Sequence, residues 1–283
     1  MSDVVGYQGK PLKNGDFTWS TGTFVDVGKT GDKMVLKDVK LVRTEGDMSC
    51  GAVYLYLLGA NGANMKITDE TSPFKGLEAT FVYLDEVEAE EWQAEEGYEY
   101  VTAGWYHETD QEYVHPMDNY PIAYGLGYAV KSIAEDYVIQ WAGQVEIDAN
   151  MPVISLKNGD FTWTGNAAPT NLKLKDFVLT RTEGDMSCGA VYLYFLGTNG
   201  ANMKITDEES PFKGFEATFV YLDEVEAEEW QAEEGYEYVT AGWYHETDQE
   251  YVHPMNNYPV DAALGFAVKS IAEGYQFQLP GAL

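Results

Sequence analysis

The sequence predicts an all-β protein built as two tandem copies of an antiparallel β-sandwich-like domain, each with at most one short helix. Three observations carry this. First, the chain repeats itself: RTEGDMSCGAVYLY begins at Arg43 and again at Arg181, and aligning residues 43–136 with 181–274 gives 83 identical positions of 94. Self-similarity over so long a period means one folding unit used twice. Second, the chain holds 21 tyrosines and is 45% hydrophobic, enough for a core and biased toward pleated, half-buried surfaces. Third, short runs rich in Val, Tyr and Thr are punctuated by Gly, Asn, Asp and Pro, the pattern of antiparallel sandwiches or barrels.

The elements follow in order within the first copy. DFTW (Asp16–Trp19) follows a turn, and KNGDFTW recurs at Lys157. KMVLKDVKLVRT (Lys33–Thr44) reads as a strand, and the stretch before it, from Trp19 to Leu36, is six residues longer than from Trp163 to Leu174. GAVYLYLLG (Gly51–Gly59) does not alternate cleanly, which suits a strand covered on both faces. GANGANM (Gly59–Met65) is a turn, and NMKIT (Asn64–Thr68) and ATFVYL (Ala79–Leu84) are further strands. DEVEAEEWQAEEG (Asp85–Gly97) has helical composition with Gly97 as its stop. Like-charge pairs Glu86/Glu90 and Glu91/Glu95 limit it to one or two turns, pinned by Trp92. YEYVTAGWY (Tyr98–Tyr106), GYAVKSI (Gly127–Ile133) and YVIQWAG (Tyr137–Gly143) complete the copy. The boundary falls near Ala149–Pro152, dividing the chain into 1–149 and 150–283.

Charge excludes several functions. With 47 acidic and 17 basic side chains the chain carries −30, so no Lys/Arg footprint for nucleic acid is visible and anionic membrane surfaces repel it. No apolar run approaches the roughly 20 residues of a membrane span. The start, MSDVVGYQG, does not read as a signal peptide. The two cysteines, Cys50 and Cys188, are equivalent positions of the repeat, so neither copy can close a disulfide within itself; two buried thiols are the expectation.

All four histidines lie in the repeated GWYHETDQEYVHPM, as His107, His115, His245 and His253. A turn centred on Asp110 pairs Trp105 with His115 and His107 with Tyr113 on one face. The imidazoles are then diagonal neighbours, but zinc needs a third or fourth ligand. A copied hairpin is the reading, ahead of a metal site. A copper set of Met48, Cys50 and Met117 lacks any spacing that would gather it. The acidic run at Asp85, Glu86 and Glu88 suits calcium, a hard cation that takes oxygen ligands, although no D-x-D-x-D-G loop is present and such runs are solvated faces. No other cofactor is expected.

No constellation fixes a nucleophile, a base and an electrophile, so the chain is read as non-enzymatic. GLGYAV (Gly125–Val130) lacks the third glycine and the helix of a dinucleotide fingerprint. Among the tryptophans, Trp92 and Trp105 with Trp230 and Trp243 form the candidate sugar platform, alongside Trp19 and Trp141, against an alternative role in the core.

Five of the eleven differences between the copies fall between Ile122 and Tyr128: Ile122/Val260, Ala123/Asp261, Tyr124/Ala262, Gly125/Ala263 and Tyr128/Phe266. This implies that one loop meets the neighbouring unit while the other meets solvent or another chain. Tyr124, Tyr128, Tyr275 and Phe277 are therefore the expected assembly interface, together with the terminal segments Val4–Gly9 and Tyr275–Leu283.

Gly104–Tyr106, Pro121, the Gly-Leu-Gly-Tyr-Ala-Val run and the closing Ala142–Val145 together resemble tandem β-rich repeats of large secreted or cell-surface bacterial proteins. The resemblance covers the last third of each copy, and the second copy departs from it at Ala263 and at Leu279–Leu283. It implies an extracellular, structural role and carries no catalytic residues. The expected function is self-assembly in a surface layer, fibre or similar structure, with other copies of the chain, surface proteins or glycans as partners. The alternatives are a tandem carbohydrate-binding module and a virion structural protein.

Overall fold

The computed structural model describes residues 5–23, 34–45, 51–144, 153–168, 170–182 and 189–279. Met48, Cys50, Cys188 and the expected boundary at 149/150 lie outside the described residues. The chain is all-β, with antiparallel sheets and, among the described residues, two short α-helices.

In the first copy the strands are β1 (Val5–Pro11), β2 (Phe17–Thr21), β3 (Met34–Val35), β4 (Val39–Arg43), β5 (Val53–Leu57), β6 (Thr80–Leu84), β7 (Gly104–His107), β8 (Pro121–Ile122), β9 (Gly127–Ser132) and β10 (Tyr137–Gln144). They form a three-stranded sheet in the order β1-β10-β4, a five-stranded sheet β2-β9-β5-β6-β7 and a short pair β3-β8. Leu41, Ile139 and Trp141 of the first sheet share one core with Leu55, Phe81, Trp105 and Val130 of the second. The second copy repeats these orders with β11 (Val153–Ser155), β12 (Phe161–Gly165), β13 (Leu172–Lys173), β14 (Val178–Arg181), β15 (Val191–Phe195), β16 (Thr218–Leu222), β17 (Gly242–His245), β18 (Pro259–Val260), β19 (Gly265–Ser270) and β20 (Tyr275–Gln278).

Several expectations change in detail. The Lys33–Thr44 run is not one strand. Asp38 accepts a hydrogen bond from the Val35 amide at 2.9 Å, and a single 3-10 turn at Leu36–Asp38 moves the chain from the β3-β8 pair to the three-stranded sheet. Asn64–Thr68 makes only isolated bridges, Leu58 to Asn64 and Lys66 to Glu78. β5 alternates after all, with Val53, Leu55 and Leu57 buried and Tyr54 and Tyr56 half-buried on the other face.

The helix is longer than its charges suggest. α1 spans Glu86–Glu96 and its twin α2 spans Glu224–Glu234. Asp85 accepts from the Glu88 amide at 2.8 Å while Glu88 accepts from the Asp85 amide at 3.1 Å. This reciprocal cap satisfies two otherwise orphaned donors, and Gly97 ends the helix in the left-handed conformation at φ 77°. Ala89 and Trp92 then cover Val82 and Tyr106 on the outer face of the large sheet. Capping and packing outweigh like-charge pairs worth about 0.2–0.5 kcal/mol each.

The cores of the two copies are repacked. In the first, buried Trp141 donates to the hydroxyl of buried Tyr128. In the second, Leu279 replaces the indole and Phe266 the phenol, so donor and acceptor vanish together. Phe177, where the first copy has Val39, fills the space by packing on Phe266 at 5.4 Å and Phe277 at 5.7 Å. An unpaired buried hydroxyl would cost about 1–3 kcal/mol, which explains why the two polar atoms are lost as a pair.

The expected assembly residues sit elsewhere than proposed. Tyr128, Tyr275 and Phe277 are buried within their own copies, held there by the large apolar area each ring removes from water. β20 is the middle strand of its sheet, flanked by β11 and β14, so it offers no free edge to another chain. Tyr124 packs on the core of the other copy within the same chain.

Candidate functional site

The copies pack on each other through β2 and β12. Trp19 and Trp163 stack at 5.2 Å between centroids, with their planes 25° apart. Around them the contacts come in reciprocal pairs. Asn61 donates to the Asp160 carboxylate at 2.9 Å, and Asn199 donates to Asp16 at 3.2 Å. Ser20 donates to the Ala263 carbonyl at 2.9 Å, and Thr164 to the Gly125 carbonyl at 2.7 Å. Gly62 lies against Trp163 as Gly200 lies against Trp19. Such swapped pairs define an approximate two-fold axis and a self-complementary interface. The glycines permit it: Gly127 and Gly265 bring one copy's backbone onto the other's β12 and β2, leaving no room for a Cβ.

An approximate two-fold creates two equivalent grooves, one on either side of the tryptophan stack. In one groove Tyr124, Ile154 and Leu279 pack into the second copy's core. The equivalents of these three in the other groove are Ala262, Lys10 and Trp141. The strand registers set the equivalence, since Lys10 pairs with Ile139 as Ile154 pairs with Phe277. There Ala262 fills nothing, and a cleft of about 620 Å³ stands open between the copies. Phe17, Trp19 and Trp141 line it together with Lys10 and Asp261. Burial pushes the Lys10 ammonium below its usual range, and the Asp261 carboxylate partly restores it. No ion pair among the described residues joins them. Asn166 holds the Asp261 loop by donating to the carbonyls of Val260 at 3.0 Å and Asp261 at 3.1 Å.

The histidines occupy different ground. The expected hairpin register is shifted by two residues: Tyr106 stands opposite Pro116, and the Trp105 carbonyl accepts from the Met117 amide at 2.7 Å rather than facing His115. Asp110 causes this by accepting from the His115 amide at 2.9 Å, which folds residues 108–115 into a loop. His107 is buried, with one ring nitrogen 2.8 Å from the Glu78 carbonyl and the other 2.6 Å from the Thr109 hydroxyl. It stacks on Phe74 at 4.4 Å, while His115 meets the same ring edge-on at 5.6 Å and contacts Asp110 at 3.2 Å. His245 and His253 do the same with Phe212 and Asp248. Among the described residues no three His, Cys, Asp or Glu side chains gather around a point.

The acidic trio is likewise dispersed. Asp85 caps the helix and pairs with Arg43 at 3.1 Å, Glu86 is exposed, and Glu88 is buried in the cap. Of the expected sugar platform, Trp105 and Trp243 are fully buried, so neither presents a face. Trp92 and Trp230 are half-buried against Tyr113 and Tyr251. Trp19 is the half-buried tryptophan at the cleft, while Trp141 borders it from within the core at 1% exposure. The KNGDFTW repeat already sets Lys10 opposite Ile154, but only the fold brings Lys10 to the Asp261 loop of the other copy. Asp261 itself was visible as one of the clustered differences.

Comparison of the chain with protein-family models, with characterised proteins and with solved structures finds no match.

Proposed function

We propose that the chain is a non-enzymatic structural protein of a cell surface layer, extracellular fibre or similar assembly, acting through repeated protein–protein contacts. The reciprocal pairing of the copies supports this reading. It turns a tandem repeat into one two-fold body that offers each outer feature twice, in opposite directions. Exposed apolar side chains recur in this way: Leu77 with Phe215, Val87 with Val225, Tyr100 with Tyr238, Ile133 with Ile271. A body with two equivalent contact patches links neighbours into chains when the rotation between them does not close. The resemblance of each copy's last third to repeats of secreted bacterial proteins points the same way, with other copies of the chain, surface proteins or glycans as partners.

The test is light scattering and electron microscopy of the purified chain across ionic strength. At −30 per chain, association works against repulsion that salt screens beyond about 8 Å, so assembly strengthens with salt. A chain that stays monomeric at high concentration in every salt refutes the proposal. The second reading, a carbohydrate-binding module, draws support from the aromatic cleft, with one site for the pair of copies rather than one in each.

A further inference from the structure

The two grooves differ in a coordinated way. In one, Tyr124, Ile154 and Leu279 pack on the second copy's core; the other has Ala262, Lys10 and Trp141 at the equivalent positions, and Asp261 where the first copy has Ala123. A bulky plug has become a methyl, and two apolar residues have become a cation and an anion. Had the change only relaxed the packing, the open groove would carry solvated surface of no particular sign. Instead a part-buried Lys10 and an exposed Asp261, which feel each other's charge but form no ion pair among the described residues, flank the half-buried rings of Phe17 and Trp19. Its volume lies within the roughly 300–1,000 Å³ of small-molecule sites.

We propose that this cleft binds a small zwitterion with an apolar body, of the class of an amino acid or short unblocked peptide. Its carboxylate meets Lys10, its ammonium meets Asp261, and its side chain lies against Phe17 and Trp19. A partly desolvated ammonium gains from a ligand anion, because opposite charges attract more strongly away from water. Aromatic rings supply contact area at low entropic cost and favour the cationic end of the ligand as well. A neutral sugar would use the rings but bring no counter-charge of its own to Lys10 or Asp261. The site requires both copies, since β1, β2 and β10 of one and the Asp261 loop of the other build it. It is independent of whether the chain assembles.

The experiment is a tryptophan-fluorescence titration of the full chain with the dipeptide Phe-Ala, and with its N-acetylated, C-amidated form. Saturable binding of the free dipeptide is expected, weakened at least tenfold by blocking both ends. Lys10→Gln and Asp261→Asn should each weaken it about tenfold, the size of one charge-assisted contact. Ala262→Tyr, which installs the plug that Tyr124 provides in the other groove, should abolish it. A thermal melt of each variant checks that the fold survives. If Ala262→Tyr does not fold, the two charge variants and the blocked dipeptide still decide. Equal binding of free and blocked dipeptide overturns the proposal. So does binding untouched by the charge variants, no saturation at millimolar dipeptide, or tighter binding of a neutral disaccharide in the same cleft.

Discussion

Replacing Glu88 and Glu226 by glutamine should stabilise the chain at pH 8 and leave it nearly unchanged at pH 4. Each carboxyl sits at the first turn of its helix, 1% exposed. One oxygen of Glu88 accepts from the Asp85 amide, and the other is buried without a hydrogen-bond partner. Burial, with the charge of Asp85 or Asp223 adding to it, pushes both carboxyls from 4.5 up to about 7. Arg43 and Arg181 offset only part of this. A folded pKa above the unfolded one means that the folded state holds the extra proton. Stability is therefore fully present below 4.5 and falls as pH rises toward 7. At about 1.4 kcal/mol per pH unit, each site forfeits about 3 kcal/mol by pH 8. Glutamine keeps an acceptor for the cap and cannot ionise. Urea unfolding of wild type and of the double variant, at half-unit steps between pH 4 and pH 8.5, measures the difference. The gap should open across the window from pH 4.5 to 7 and then level off. A gap that does not depend on pH, or one that favours wild type at pH 8, refutes the reasoning.

The packing sets further outcomes. Trp19→Ala should cost about 2–3 kcal/mol, below the range for a fully buried indole because the ring is half-exposed; calorimetry should then split one transition into two as the copies uncouple. Gly125→Ala should destabilise by about 2–3 kcal/mol, because Gly125 has φ 74° and an added methyl would occupy the place of the Leu279 side chain. Ala263→Gly at the equivalent position should cost less than about 1 kcal/mol, so the two melting temperatures should differ clearly. His107→Ala with His245→Ala should lower the melting temperature by removing the stacks on Phe74 and Phe212. Zn²⁺ and Cu²⁺ should leave the wild-type melting temperature unchanged, since a ligand stabilises only a state that binds it. A metal-dependent rise that disappears in the double variant would overturn the stacking assignment.

The sequence alone determined the repeat, the all-β class and most strand positions. Identity of 83 positions in 94 and the Val/Tyr/Thr runs are local properties that need no distant partner to be read. Gly97 as helix stop was equally legible, because a left-handed cap is a single-residue requirement. Helix length was not, since it hangs on the reciprocal Asp85–Glu88 cap rather than on composition. The hairpin register was also hidden, because one Asp110 side-chain bond outweighs the symmetric turn that spacing suggests. The cluster of differences at 122–128 announced that two loops had different neighbours, yet not which neighbours. Only the tertiary structure showed that the copies face each other across an approximate two-fold. Lys10 and Asp261 lie 251 positions apart in the chain, and a strand register in one copy and a loop in the other bring them to one cleft. Pairing through space follows from which surfaces are self-complementary, and no periodicity along a single chain records that.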